Sequence, residues 1–494
     1  MLPSLSRARP RRLVAALVLI AGCTLPPLAE AQYFGRNKVQ YRTFDFRVLQ
    51  TPTFDIYYYP EEEVAARDAA RMAERWYARL SAILDHRFQE RQPIILYASH
   101  PDFQQTTVVG GAISEGVQGV TEAAKQRVAM PLLGSYAETD HVLGHEIVHA
   151  FQYDISGLGR ARGGLQQAVQ RFQVPLWFIE GMAEYLSLGP VDAHTAMWVR
   201  DAALTGELPT IERLTRDPRV FPYRWGHALW AYIGGRWGDP VIGQILRLAG
   251  QGVPMEQAFQ RTLNITFEEL SADWHTAIRR AYLPMITEHQ EPREVARPLI
   301  TRTGEGGRLN VGPVISPDGR LVAFLSEMGF LDVELHLADA QTGEVLRRLV
   351  KGTALDPHFG SLRFINSAGT WSPDSRQFAF AALRGGTDVV AIVEAERGRR
   401  IRELRIPDVH ELANPHWSPD GRTIVVSGTR GGISDLYTID VATGTSRRLT
   451  DDRYAYFHPA FSPDGTTLAF VNDRGPGTDL DRLASVISPM VYPP

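Results

Sequence analysis

The sequence predicts a multidomain protein in which an α+β domain is followed by an all-β domain of propeller type. Strand-like segments precede residue 132, and helical periodicity dominates from there to about residue 283, which is an α+β pattern. After residue 300 one turn motif appears four times, at spacings typical of propeller blades. The predicted divisions are an export signal at 1–31, the α+β domain at 32–290, a linker at 291–299 and the repeats at 300–494.

Composition and charge are those of an ordinary globular protein. Of the 494 residues, 44% are hydrophobic and 22% are charged, which suffices for two or three domains with their own cores. The net charge is -4, and no long basic run follows the extreme N-terminus. We therefore expect no nucleic-acid partner.

The N-terminus has the pattern of an export signal. Four arginines precede the apolar stretch Leu13–Ala21, which is too short to span a bilayer. An Ala-x-Ala cleavage site ends at Ala31, whereas a lipobox-like segment ends at Cys23, the only cysteine. We favour the first site, because a proline pair separates it from the apolar stretch. Either site predicts a protein of the bacterial periplasm or envelope without internal disulfides, held at a membrane only if Cys23 is lipidated.

The segment His145-Glu146-Ile147-Val148-His149 has the HExxH pattern. On a helix the two histidines lie one turn apart on the same face, where both imidazoles can bind one Zn²⁺. Glu146 is then placed beside the metal and is predicted to take a proton from metal-bound water as the general base. Zinc lowers the pKa of that water towards about 7, so the pattern predicts hydrolysis near neutral pH.

A catalytic zinc ion needs a third protein ligand from another segment. A metzincin would have glycine and histidine where this chain has Gln152 and Ile155, so that class is excluded. Glu180 and Glu184 are the carboxylate candidates, four residues apart on one helix face. We predict Glu180 as the ligand, and Glu184 as a carboxylate that orients a zinc histidine through its other ring nitrogen.

The segments HEIVHAFQ and WFIEGMAEYLS resemble those of the gluzincin metallopeptidases. The closest resemblance is to the peptidase MA-like domains of bacterial envelope proteins, and it covers about residues 33–285. It implies a zincin-like fold in which the glutamate before glycine, Glu180, is the third ligand, and an acidic residue follows four positions later at Glu184.

The same resemblance implies how such an enzyme handles its substrate. A tyrosine or histidine stabilises the oxyanion, and Tyr223 is the first candidate for this role and His227 the second. The strand at 127–131 would be the sheet edge along which an extended substrate lies.

The C-terminal part contains four copies of a Ser-Pro-Asp turn. Proline presets the first central position of a β-turn, and the glycine that follows in three copies closes it, so we predict structural turns and no nucleophilic serine. With the ending Arg447–Thr450, residues 300–475 resemble TolB-type propeller repeats. The serines of the four turns lie 56, 46 and 44 residues apart, at Ser316, Ser372, Ser418 and Ser462.

The number of repeats is small for a closed propeller. They give about three blades and part of a fourth, whereas propellers usually close with four to eight. We favour a fragment of a longer chain over a propeller that is open or completed by another molecule, because an open propeller exposes strand edges.

Together these patterns predict a zinc-dependent peptidase of the bacterial envelope. Its substrate would be a peptide or protein, and its propeller would dock an envelope protein partner. Two alternatives stay open. A non-catalytic binding or scaffold protein would act through the propeller alone, and a zinc hydrolase of a non-peptide amide would use the same chemistry as a peptidase.

Overall fold

The structure is a computed structural model that describes residues 38–158, 172–287, 290, 292–301, 307, 309–328, 333–351, 359–365 and 367–474. The predicted export signal at 1–31, with both of its cleavage sites, lies outside the described residues. The same holds for the chain after residue 474.

A mixed sheet forms the first part of the described chain. Its strands are β1 (Arg47–Gln50), β2 (Phe54–Tyr58), β3 (Gln92–Tyr97), β4 (Val120–Glu122) and β5 (Arg127–Pro131). The order is β1-β2-β3-β5-β4, with β2, β3 and β5 parallel and the outer strands antiparallel to their neighbours. Buried side chains of β2, β3 and β5, such as Phe54, Ile94 and Val128, share one core with the helices.

The edge of this sheet differs from the predicted one. The prediction placed the edge at 127–131, but β5 pairs with β3 on one side and with β4 on the other, so β4 is the edge strand. Pro131 suggested an edge because it lacks an N–H group. However, β4 pairs only with residues 127–129, so the proline lies beyond that ladder and interrupts none of its hydrogen bonds.

Helices cover the sheet and continue the chain. Two of them lie between strands of the sheet, and from residue 136 to the propeller strands the described elements are helices, as predicted for the chain after the HExxH segment. Among the described residues, no helix is long and apolar enough to cross a membrane. The last helix lies within the predicted linker at 291–299. The helices are α1 (Glu63–Leu84), α2 (His100–Phe103), α3 (Tyr136–Ser156), α4 (Leu176–Leu188), α5 (Ala193–Thr205), α6 (Ile211–Arg216), α7 (Pro222–Trp237), α8 (Pro240–Gly250), α9 (Met255–Leu263), α10 (Phe267–Tyr282) and α11 (Pro292–Val295).

Helices α4 and α7 touch backbone to backbone. Gly181 on α4 faces Gly226 on α7, and a Cβ atom added to either would overlap the other helix. The close approach places the first turn of α7, with Tyr223 and Arg224, against the carboxylates of α4.

The C-terminal part consists of antiparallel sheets of the propeller-blade type. Three blades have four strand positions each, in chain order, and a two-stranded sheet follows; β10 and β11 together form the first position of the second blade, since both pair with β12. The described strands do not close a ring. They are β6 (Asn310–Ile315), β7 (Leu321–Ser326), β8 (Glu334–Asp339), β9 (Val345–Val350), β10 (Ser361–Leu362), β11 (Thr370–Trp371), β12 (Gln377–Arg384), β13 (Thr387–Glu394), β14 (Arg400–Leu404), β15 (Glu411–Trp417), β16 (Thr423–Arg430), β17 (Ile433–Asp440), β18 (Ser446–Arg448), β19 (Tyr456–Phe461) and β20 (Leu468–Asn472).

The four Ser-Pro-Asp turns share one set of hydrogen bonds. In each, the serine Oγ donates to the aspartate two residues later at 2.6–2.7 Å. The same Oγ accepts the backbone N–H five residues later at 2.9–3.0 Å. The serines therefore close the turns, as predicted, and are not free to act as nucleophiles.

The second turn has serine where the other three have glycine. Ser375 has φ 59°, against 73–74° for Gly319, Gly421 and Gly465, and its Oγ accepts the Asp318 N–H at 3.1 Å. Ser375→Gly and Ser375→Ala both lose this bond, but only alanine keeps a Cβ in the left-handed region. We expect the glycine variant to have a free energy of unfolding about 1 kcal/mol higher than that of the alanine variant. Urea titration of both variants measures the difference, and equal stability would contradict the expected strain.

Candidate metal centre

Helix α3 carries the HExxH segment. Its N-terminus is capped by Ser135, whose Oγ accepts the Glu138 N–H at 3.2 Å, and it ends at Gly157, which has φ 71°. Leu143, Ile147 and other apolar side chains of α3 pack in the core. Because this packing fixes the rotation of the helix, His145 and His149 project together towards α4.

Three side chains converge on one point. His145 Nε2 lies 3.1 Å from His149 Nε2, and the Glu180 Oε2 atom lies 3.3 Å from the first and 3.2 Å from the second. Tetrahedral zinc with ligands at 2.0–2.1 Å has its ligand atoms roughly 3.3 Å apart. The spacing of the three atoms therefore fits a metal ion of this size, and His145, His149 and Glu180 form a group able to hold one.

Each histidine is fixed through its second ring nitrogen. His145 Nδ1 lies 3.0 Å from Glu184 Oε1, and His149 Nδ1 lies 2.8 Å from Gln152 Oε1. Gln152 donates in turn from Nε2 to the backbone carbonyl of Ile179 at 2.9 Å. Metal-binding histidines are usually held in this way, so both Nε2 atoms are directed at the same point.

The acid–base state of the group reflects its close contacts. Burial alone would lower the pKa of His145, but hydrogen bonds with Glu180 and Glu184 outweigh burial and raise the pKa to about 10. Burial alone would raise the pKa of Glu180, but hydrogen bonds with both histidines hold it well below its usual range. The group therefore retains a positive charge beside the Glu180 carboxylate, and a bound metal ion would replace the proton.

Glu146 lies against the edge strand β4. Its Oε2 accepts a hydrogen bond from Thr121 Oγ1 at 2.6 Å. A Cβ atom added to Gly119 would lie 2.6 Å from its Oε1, so a side chain at this position would displace the carboxylate. Neither contact is visible in the sequence, because both depend on the pairing of β4 with β5.

Two tyrosines border the group. Tyr223 stacks on His145, with ring centroids 6.1 Å apart, and its pKa is raised by burial and by the carboxylate of Glu180, to which it is hydrogen-bonded. Tyr153 stacks on His149 at 6.2 Å, and burial with the charges of Glu180 and Glu146 raises its pKa to about 12. Tyr153 was not predicted from the sequence, although its position four residues after His149 on the same helix could have indicated it.

His227 has a different environment from the one proposed for it. The ring is fully buried, with Nδ1 2.7 Å from Thr195 Oγ1 and Nε2 2.7 Å from the backbone carbonyl of Gly189. Because both ring nitrogens already have partners, His227 has none to offer an oxyanion. Its contacts instead join α7 to the end of α4 and to α5.

Arg224 continues the chain of contacts behind His145. Its Nη1 donates to Glu184 Oε2 at 3.0 Å and lies 3.3 Å from Asp192 Oδ2. The guanidinium therefore fixes the carboxylate that holds His145, and the sequence pattern gave no sign of it.

Residues 364–483 match the family model of the TolB beta propeller domain. This match confirms the predicted TolB-like repeats in that region, which is less than half of the chain. No curated protein matches the chain. The gluzincin resemblance of the first half stays a prediction.

Three solved structures are similar to this chain in part. A TolB-type protein from Agrobacterium tumefaciens is 26% identical over 32% of this chain and 52% of its own, with a TM-score of 0.28. TolB from Acinetobacter baumannii is 24% identical over 34% of this chain and 39% of its own, also with a TM-score of 0.28. The Cps50 (Swd1) β-propeller domain from Myceliophteria thermophila is 14% identical over 34% of this chain and 50% of its own, with a TM-score of 0.26. This chain spans about half or less of the length of these structures.

Proposed function

We propose that this protein is a zinc-dependent peptidase of the gluzincin type, with a zincin-like fold around the metal. The spacing of His145 Nε2, His149 Nε2 and Glu180 Oε2, 3.1–3.3 Å apart, supports the proposal most. Two imidazoles and one carboxylate, with the adjacent Glu146 not among the ligands, are a donor set typical of catalytic zinc.

The residues around the metal have distinct proposed roles. A zinc ion held by His145, His149 and Glu180 would supply a Lewis acid that polarises a carbonyl group and lowers the pKa of a water molecule. Glu146 takes the proton of the attacking water, with its carboxylate oriented by Thr121. Tyr223 donates its hydroxyl to the oxyanion, and its raised pKa keeps that hydroxyl protonated at neutral pH.

The substrate is proposed to lie along β4. As the edge strand of the sheet, it offers backbone groups on one side to an extended polypeptide. Thr121 on this strand contacts the proposed base, so a peptide paired there would pass beside Glu146. Backbone pairing favours a polypeptide over a small non-peptide amide.

Export and docking are the remaining parts of the proposal. The signal pattern at 1–31 and the TolB-like repeats support a location in the bacterial envelope, where the propeller would dock a protein partner. Because the propeller is the part that matches a family, a non-catalytic scaffold is the second candidate. Metal binding separates the two.

The test is the zinc content of residues 32–494 by mass spectrometry, beside that of Glu180→Ala. We expect about one zinc per wild-type chain, as for a three-ligand site, and much less in the variant, because two imidazoles alone bind zinc weakly. A wild-type protein that takes up no zinc, even when zinc is added, would exclude the peptidase and favour the scaffold.

Glu184→Gln is the matched control for this experiment. Glu184 touches His145 but not the point on which the ligand atoms converge, so its loss should weaken zinc binding about 10- to 100-fold without abolishing it. Competition with a zinc chelator measures the affinity. Equal losses in the two variants would show that Glu180 has no special place in the site.

A further inference from the structure

A cavity of about 270 Å³ lies between two parts of the chain, the sheet and helices before residue 290 (the helical half) and the propeller strands after residue 309. Gln118 and Glu138 line it from the helical half, and Glu411 on β15 and Ser427 on β16 line it from the propeller. A hydrogen bond joins the two halves beside the cavity, since the backbone N–H of His100 donates to Glu411 Oε2 at 3.1 Å. The cavity is therefore built by both halves.

Carboxylates outnumber free cations around this cavity. Glu115, Glu138 and Glu411 line it together with one guanidinium, that of Arg363. The charge of this guanidinium is paired with that of Asp388, because Arg363 Nε donates to both carboxylate oxygens of Asp388 at 3.0 and 2.9 Å and Nη2 lies 2.9 Å from Asp388 Oδ1. Once this pair is set aside, three carboxylates remain.

The pKa values of two lining groups reflect burial without a free cation beside them in the described part of the chain. Burial lowers the pKa of His100 to about 3, so its ring is neutral. Burial raises the pKa of Glu411 to about 7, although the charge of Arg363 opposes the shift. A cation placed in the cavity would stabilise the Glu411 carboxylate.

Ser427 gives an independent sign of a ligand. The residue is 2% exposed, and its Oγ is buried without a hydrogen-bond partner among the described residues. A buried hydroxyl left without a partner is destabilising. An N–H donor in the cavity would satisfy it.

We infer that this cavity binds the side chain of an arginine or lysine of a polypeptide substrate. A guanidinium or ammonium group offers several N–H donors and a positive charge, which complement Glu411, Glu115 and Ser427. The volume is just below that of pockets for drug-sized ligands, about 300–1,000 Å³, and suits one side chain. That the side chain belongs to a substrate rests on the proposed function.

The cavity lies next to the proposed course of the substrate. Gln118, which lines it, is followed by Gly119, which packs against the carboxylate of Glu146, and then by the edge strand β4. A polypeptide along β4 could therefore place a basic side chain in the cavity while another of its residues lies at Glu146.

The experiment is titration calorimetry of residues 32–494 with acetyl-arginine-amide, beside the neutral acetyl-norleucine-amide. We expect binding of the arginine compound only, weakened at least tenfold in Glu411→Gln and severalfold in Ser427→Ala. Glutamine can still accept the His100 N–H, and thermal unfolding checks that both variants fold. Equal binding of the two compounds, unchanged affinity in Glu411→Gln, or binding of calcium chloride but not of the arginine compound would each overturn the inference.

Two further arms separate this inference from the proposed function. His145→Ala should lose zinc yet bind the arginine compound like the wild type, because His145 does not line the cavity. In wild-type protein, a peptide with one arginine should be cleaved with a lower KM than its norleucine counterpart. This result would show that the cavity binds a substrate side chain and not a free guanidine compound. Cleavage of both peptides with equal KM would leave the peptidase standing and refute the cavity's role.

Discussion

Glu146→Gln is expected to lower the kcat for peptide hydrolysis by about a thousandfold while the zinc content stays at that of the wild type. The glutamine amide has the shape of the carboxylate and can still accept the hydrogen bond of Thr121, but it cannot take a proton from water. General-base catalysis contributes roughly 10²–10⁴-fold. Hydrolysis of a quenched fluorescent peptide, measured beside the zinc content of the same preparation, gives both quantities.

Thr121→Val is the matched control for this variant. It removes the hydroxyl that lies 2.6 Å from Glu146 Oε2 but leaves the base, so the loss in kcat should be much smaller than in Glu146→Gln. Full activity of Glu146→Gln would refute the proposed mechanism. A loss of zinc in Glu146→Gln would show instead that Glu146 helps to hold the metal.

Arg363→Met is expected to lower the free energy of unfolding by about 3–5 kcal/mol, the usual result of leaving one charge of a buried pair without its partner. The Arg363 side chain is 4% exposed and that of Asp388 is fully buried. Urea titration of the propeller transition measures the loss. A loss below about 1 kcal/mol would mean that the pair is not held together as described.

The loss in Arg363→Met should depend on pH. Burial already raises the pKa of Asp388 with Arg363 present, and removal of the guanidinium raises it further. A carboxyl group with a raised pKa in the folded state binds its proton more tightly there than in the unfolded state. The free energy of unfolding therefore falls as the pH rises from the unfolded pKa, about 3.9, to the folded pKa. The variant should therefore be less destabilised at pH 5 than at pH 8.

Arg320→Met is the control for the buried pair. Arg320 Nε donates to Asp318 at 2.8 Å, but its side chain is 81% exposed, so solvent screens the interaction. Exposed pairs contribute little to stability, so Arg320→Met should unfold at nearly the same urea concentration as the wild type. A large loss in both variants would mean that removal of arginine, and not burial of its partner, causes the effect.

Local patterns were enough to predict part of the candidate metal centre. The HExxH spacing and the later glutamate pair depend only on helix periodicity, and the structure places His145, His149 and Glu180 within 3.3 Å of one another. The Ser-Pro-Asp turns are equally local, since each serine bonds only within six residues. The spacing within each helix and the turns follow from neighbours along the chain, whereas the contact of Glu180 with the histidines joins two helices and was predicted only from the need for a third ligand.

Contacts between distant segments were not predictable in this way. Thr121 reaches Glu146 only because β4 pairs with β5, and the sequence placed the sheet edge one strand away. His227 looked suitable by residue type, but its bonds to Thr195 and Gly189 arise from the packing of three helices. The cavity depends on where two halves meet, for which one sequence has no local sign.

The glycine pair between α4 and α7 has a mechanical consequence. Gly181 and Gly226 place the backbones of α4 and α7 in direct contact, without a side chain between them that could change its rotamer. The two helices therefore cannot approach further, and their separation would open a void. Glu180 and Glu184 on one helix, with Tyr223 and Arg224 on the other, therefore move as a single block. An opening between this block and α3 would therefore move Glu180 and Tyr223 away from both histidines in one displacement.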